Sequence, residues 1–255
     1  MKKLKSIILP LSFICLAVCV IFFLQYFIDG IQDQKEKEDL IRNKEAITNL
    51  ADTDINLPEN RVILPQYKTL YEENSDLIGW IKIKDTPLDY PVMQNMEDNE
   101  YYLHRNYYEE YEYSGLPFLD IKCSIDPPST NLMIYGHNMK SDVMFSCLTK
   151  YIDEEYYLQH PIIKFDTLYE ESEYQIVSII LSKVYMKSDD VFKFYQFVQA
   201  DSEAEFDEYI LNMKKLSLYD TGFGASYGDQ LLTLVTCNYH TENGRLAVLA
   251  KKVRN

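Results

Sequence analysis

Apolar and polar positions follow two different textures along the chain. From Ser6 to Ile28 no residue is charged and Ile, Leu, Val and Phe dominate, a run long enough to cross a bilayer core as a helix. Lys2, Lys3 and Lys5 precede this run, whereas Asp29 and Asp33 follow it. The positive-inside tendency then places the amino terminus in the cytoplasm and the rest of the chain outside. A cleaved signal peptide is the alternative, but the apolar run exceeds the ~7 to 15 residues of a signal core and no small-x-small cleavage site follows it. The expected location is the cell membrane, with a single pass and an extracellular folded part.

Beyond the apolar run, Gly30 to Leu50 is rich in Gln, Lys, Glu and Asp, with Leu40, Ile41, Ile47 and Leu50 at roughly helical spacing. This predicts a charged helical stalk. Asp52 to Pro65 reads as a break and Tyr67 to Asn74 as one more short helix. From Leu77 the pattern changes to β-branched and apolar runs between turn signals: 78–83, 88–93, 115–119, 131–135, 162–166, 174–185, 230–237 and 245–252. About eight such strands, without regular helical crossovers, predict a mainly β fold with peripheral helices, closed as an eight-stranded barrel. Helical insertions are expected over 98–104, 142–150 and 202–219. In the last of these, Phe206, Tyr209, Ile210, Met213 and Leu216 keep a helical rhythm behind a Ser202 cap. The expected organisation is a cytoplasmic tip and anchor over 1–28, a helical stalk over 29–68 and a folded domain over 69–255.

Composition narrows the function. Lys and Arg number 25 against 40 Asp and Glu, a net charge of −15, which opposes binding to phosphate backbones and excludes nucleic acid as the expected partner. Five Cys with no CxxC pair exclude a disulfide scaffold and a structural zinc site. Glu109, Glu110 and Glu112 lack the ligand spacing of an EF-hand loop, so no metal is expected.

Two positions carry candidate chemistry. Cys237 ends the strand QLLTLVTC, the segment NYHTENG turns the chain, and Arg245 opens the strand RLAVLAKK. In an antiparallel hairpin the two residues stand opposite each other on one face. A nearby cation favours thiolate, and fixed guanidinium donors suit an oxyanion formed in acyl transfer; a buried strand Cys beside a solvent-facing Arg is the bland alternative. Upstream, the strand NLMIYGHNM delivers His137 at its end, behind Gly136. His104, His160 and His240 compete with it. His240 falls in the hairpin loop, and His104 and His160 lie in tyrosine-rich segments expected at the surface.

These motifs resemble the sortases, cysteine transpeptidases of Gram-positive cell surfaces. TLVTC (Thr233 to Cys237) matches the TLxTC signature, Arg245 stands where the family's Arg follows on the next strand, and IYGHNM (Ile134 to Met139) matches its histidine motif. LIGWIKI, LDYPVMQ, DNEYYL, PFLD and the long helix before the Cys strand are similar to class B in particular. The resemblance implies a sortase-type barrel with a catalytic domain over 69–255 and no cofactor. It implies catalytic roles for Cys237 as nucleophile, His137 as acid and base, and Arg245 as holder of substrate and oxyanion. By motif position it implies Asn99, Leu103, Tyr135 and Thr236 as substrate-binding residues. Class B enzymes read an NPxTx-type sorting signal on secreted proteins and use an amine of peptidoglycan or its precursor as acceptor, whereas a Lys acceptor would indicate pilin assembly. Asn238 stands where some members carry an acid. A papain-like peptidase is disfavoured because His137 precedes Cys237, and a noncatalytic binding module would not need all three residues. Cys123 and Cys147 read as free thiols, with a mutual disulfide as the alternative.

Overall fold

The computed structural model describes residues 2–48, 62–141 and 143–254, with side chains from residue 16 onward except 22, 25, 26, 29, 47 and 48. The chain divides into two compact units, Met1–Thr53 and Asp54–Asn255. The first is one helix, α1 (Lys2–Thr48). Among the described residues, no helix is long and apolar enough to cross a membrane. This corrects the expectation of a single-pass anchor over the apolar run, and with it the cytoplasmic amino terminus and the extracellular assignment. α1 instead continues without interruption from the apolar run into the charged segment beyond Ile28. The break expected over 52–65 falls mostly outside the described residues.

The second unit opens with α2 (Pro65–Glu73), where Pro65 sits in the first turn, a position whose amide needs no helical partner. Eight strands follow: β1 (Leu77–Lys82), β2 (Asp89–Met93), β3 (Phe118–Leu119), β4 (Asn131–Tyr135), β5 (Ile162–Thr167), β6 (Glu173–Lys183), β7 (Leu231–Cys237) and β8 (Gly244–Lys252). They close a barrel in the order β1-β2-β3-β4-β7-β8-β6-β5, as expected. Only β2 with β3 and β4 with β7 run parallel.

The helices lie outside the barrel. After the short α3 (Glu154–Gln159), which the strand pattern does not announce, α4 (Glu203–Leu216) forms behind Ser202, whose Oγ accepts the Glu205 amide at 3.3 Å. Phe206, Tyr209, Ile210 and Met213 are buried, whereas Leu216 is largely exposed. The Met213 carbonyl accepts the Ser178 hydroxyl of β6 at 2.8 Å, fixing the helix to the wall. β7 is buried from Leu231 to Thr236, its two hydroxyls, Thr233 and Thr236, each held by a hydrogen bond. Two expected insertions shrink to 3-10 helices, Tyr101–His104 and Phe145–Ile152. In the first, Asn95 and Asp98 side chains take the amides of Glu97, Asp98 and Glu100, which favours turns over an α-helix.

α2 is fastened to the barrel by Tyr67, which is fully buried, stacks on Trp80 of β1 at 6.5 Å and donates its hydroxyl to the Asp166 carboxylate at 2.7 Å. Asp166 is itself only 2% exposed, so removing a donor leaves a buried charge less satisfied. Tyr67→Phe should therefore lower stability by about 1–3 kcal/mol. The urea midpoint should fall with an unchanged slope; a midpoint equal to wild type would refute this account.

Candidate active site

The site forms where β4 and β7 end side by side. Asn131 to Tyr135 pair in register with Leu231 to Val235. The alignment persists past the strand ends: the Gly136 amide donates to the Val235 carbonyl at 3.1 Å, the Thr236 hydroxyl to the Gly136 carbonyl at 2.8 Å, and the Asn138 side-chain amide to the Cys237 carbonyl at 3.0 Å. His137 thereby lies level with Cys237 on neighbouring strands, which run ~4.8 Å apart. Side chains alternate along the paired strands, so Tyr135, Val235 and Cys237 share the outer face and Thr236 belongs to the other, while His137 follows just beyond the end of β4. Gly136 is required by packing, because a Cβ there would stand 2.6 Å from the Phe145 ring.

Arg245 completes the group. It is the register partner of Cys237 across the β7–β8 hairpin. Next to them the Asn238 amide donates to the Gly244 carbonyl at 3.0 Å. That bond makes Cys237 and Arg245 the closely spaced, non-hydrogen-bonded kind of antiparallel pair, with Cα atoms ~4.5 Å apart. The Arg245 guanidinium donates through Nη1 to the Gly244 carbonyl at 3.0 Å, which leaves further donors of the fork to present to an oxyanion. Cys237 is half-buried, reachable by substrate yet partly shielded.

His137 is half-buried as well. Its Nε2 lies 2.9 Å from the Leu103 carbonyl; a carbonyl can only accept, so Nε2 carries the hydrogen and Nδ1 is the basic nitrogen of the neutral ring. Burial pushes its pKa below the ordinary imidazole value; the bond to Leu103 works in the opposite direction, and nearby His104 adds to the lowering.

The remaining candidates separate. Tyr135 lies on the outer face, stacked on Phe118 at 5.6 Å, its hydroxyl donating to Asp120 at 3.2 Å; burial first, then Asp120, keeps it un-ionised. Leu103 meets the site through its carbonyl. Asn99 accepts the Ile121 amide at 2.7 Å through Oδ1, a loop-bracing bond. Thr236 is 2% exposed, gives its hydroxyl to the Gly136 carbonyl at 2.8 Å and, as the strand neighbour of Cys237, projects to the opposite face. Asn238 is buried and takes the His240 amide at 3.0 Å within the hairpin loop. Cys123 and Cys147 are buried free thiols, and burial pushes Cys123 up to about 12. His104, expected at the surface and half-buried there, also stacks on His137 with ring centroids 5.1 Å apart; the Tyr-rich context alone gave no signal of the stack.

The lowered pKa has a measurable sign. The unfolded chain binds a proton at this imidazole more readily than the folded one, so His137 opposes folding as pH falls below the ordinary value of ~6.5. An NMR titration should place the His137 midpoint below that value, and His137→Gln should flatten the acid loss of stability; a midpoint at or above it would contradict the burial argument.

Comparison with known proteins accords with this geometry. A sortase domain family model matches residues 81–253. The chain is 32% identical over 196 residues to sortase B of Listeria monocytogenes, covering 76% of each. The crystal structure of sortase B from Bacillus anthracis in complex with AAEK1 superposes with a TM-score of 0.74 at 29% identity, covering 90% of this chain and 100% of that one. A Staphylococcus aureus sortase B–substrate complex has the same fold, with a TM-score of 0.77 at 24% identity over 89% of this chain and 99% of that one. With the eight-stranded barrel and the family's sequence motifs borne on neighbouring strand ends, the chain belongs to the sortase family and is a cysteine transpeptidase of the sortase B type.

Proposed function

We propose that this transpeptidase cleaves an NPxTx-type sorting signal after its Thr and transfers the acyl group to a peptidoglycan amine, with Cys237, His137 and Arg245 carrying the chemistry. The observation behind this reading is that three groups of complementary chemistry meet on one outer face: a thiol, the cation directly opposite it, and an imidazole level with it on the neighbouring strand. The Cys237 thiolate attacks the Thr carbonyl carbon, and Arg245 donors stabilise the oxyanion. Collapse of the tetrahedral species breaks the C–N bond, the departing amine taking a proton from the His137 imidazolium through Nδ1. A thioester remains on Cys237. The incoming amine then gives a proton back to Nδ1 as it attacks, and the thiolate leaves as the new amide forms.

Tyr135 and the main chain of Leu103 border this face, which makes them the stronger contributors to the peptide groove among the candidates. Asn99 contributes by holding the loop that borders it.

With an NPxTx-type peptide and a peptidoglycan-like amine, the wild-type chain should give both cleavage and amide product. Cys237→Ala should abolish both while leaving the melting temperature close to wild type. Arg245→Lys keeps the charge but not the fork and should lose about 10²-fold in kcat, as removal of an oxyanion donor does. Cleavage that survives in Cys237→Ala would end this proposal. A wild-type enzyme inert to the whole NPxTx set but active on another signal would leave the chemistry and replace the specificity.

A further inference from the structure

His104 is the one titratable ring against His137 that the mechanism above does not use. It ends the 3-10 helix Tyr101–His104, whose preceding residue, Leu103, supplies the carbonyl that takes the Nε2–H of His137. One short segment therefore meets the imidazole twice, at its edge and on its face. The His104 ring lies 5.1 Å from that of His137 with an interplanar angle of 28°. Its other neighbours are Tyr113, at 5.8 Å and 22°, and Tyr111, at 6.3 Å and 32°.

His104 is itself fixed. Its Nδ1 lies 3.1 Å from the Tyr113 carbonyl, so Nδ1 carries a hydrogen. Its own carbonyl accepts the Glu112 amide at 3.1 Å. The chain returns to it through the turn over 106–110, where the Glu109 amide donates to the Asn106 carbonyl at 3.1 Å and Arg105 then bridges to Tyr111; beyond it Gly115, at φ +55°, packs so close that a Cβ would run into the Tyr102 and Leu103 carbonyls. The adjacent Arg105 guanidinium lies over the Tyr101 ring at 4.0 Å and donates to the Tyr101 carbonyl.

A single hydrogen bond through Nε2 sets the distance of the His137 ring but leaves it free to tilt about that bond. Tilting swings Nδ1, the atom that must meet the departing and the incoming amine. A flat ring seated against its face removes that freedom. We infer that His104 is a positioning residue for His137, its ring held between Tyr113 and the imidazole so that Nδ1 keeps the orientation proton transfer needs. This rests on the role proposed above for His137. His104 itself touches neither substrate nor the reacting atoms.

The test is steady-state kinetics of the full chain on the NPxTx-type peptide that wild type cleaves fastest, with His104→Ala, His104→Phe and His137→Ala measured together. His104→Ala should lower kcat about tenfold, within the range that misorientation of a catalytic group produces, with KM changed less than about twofold. His104→Phe keeps a flat ring in the stack and should recover kcat to within about threefold of wild type. An unchanged kcat in His104→Ala, a change confined to KM, or a His104→Phe variant as slow as the alanine variant would overturn the inference. Should His104→Ala fail to fold, the phenylalanine variant decides alone: near-wild-type kcat supports the stack, a tenfold loss rejects it. His137→Ala separates the two levels. Activity that survives there removes the proposed role of His137 itself, whereas its loss together with an indifferent His104 removes only the positioning role.

Discussion

The parallel pairing of β4 with β7 is the constraint on which the site depends. These strands are about 100 residues apart in sequence, yet every residue from Asn131 to Tyr135 has its partner in β7. A slip of one residue would turn Cys237 into the barrel and bring Thr236 to the outside, because side chains alternate with period two. Backbone bonds alone do not distinguish such registers well, so side-chain bonds add to them. At one end Thr233 Oγ1 donates to Asn131 Oδ1 at 2.8 Å; at the other, Thr236 and Asn138 bond across the pair at 2.8 and 3.0 Å. Each is buried or partly buried, where an unmade hydrogen bond costs about 1–3 kcal/mol. The same bonds that keep the barrel closed keep Cys237 facing outward.

The outer face of this pair is not uniform. At its amino-terminal end Asn131 and Thr233 lie beneath Tyr209 of α4 and the Phe197 carbonyl, and both are fully buried. At the other end the cover stops, and Tyr135, His137, Cys237 and Arg245 are all only partly buried. Substrate access therefore follows from where α4 and the segment before it end. Partial burial also sorts the electrostatics. His137, walled by Leu103 and His104, feels desolvation strongly enough to lower its pKa. The overall excess of acidic residues bears little on this, since exposed charges beyond about 10 Å are screened at ordinary ionic strength.

Much of the fold was legible because strand periodicity and turn residues are local. Asn131–Tyr135 was bounded correctly by its apolar run and by Gly136, and Cys237 opposite Arg245 follows from the length of the loop between them. Barrel order was not legible, since β2 with β3 and β4 with β7 pair in parallel through long connections. That Thr236 falls on the face opposite Cys237 follows from period two, since the two are strand neighbours. His104 could not have been found that way: its stack depends on the turn over 106–110 and the return of Tyr113, a tertiary arrangement. The apolar amino-terminal run shows the opposite failure. Hydropathy and flanking charge gave a consistent local pattern, but among the described residues it does not yield a helix of sufficient apolar length.

The three groups are not held by the same kind of structure. Cys237 and Arg245 belong to paired strands, so their separation is a property of the antiparallel ladder and changes only if the barrel does. Gly244 permits the close hairpin return, because a Cβ there would meet the Asn238 carbonyl. His137 instead lies beyond the last paired residue of β4, where the ladder no longer fixes the side chain. Its ring is held from outside the sheet, by the Leu103 carbonyl and the His104 ring. The barrel thus sets Cys237 and Arg245 as a rigid pair, while the His137 ring takes its orientation from the segment between residues 99 and 115. Sequence change in that segment can move the imidazole without disturbing the thiol, whereas a change in the ladder moves Cys237 and Arg245 together.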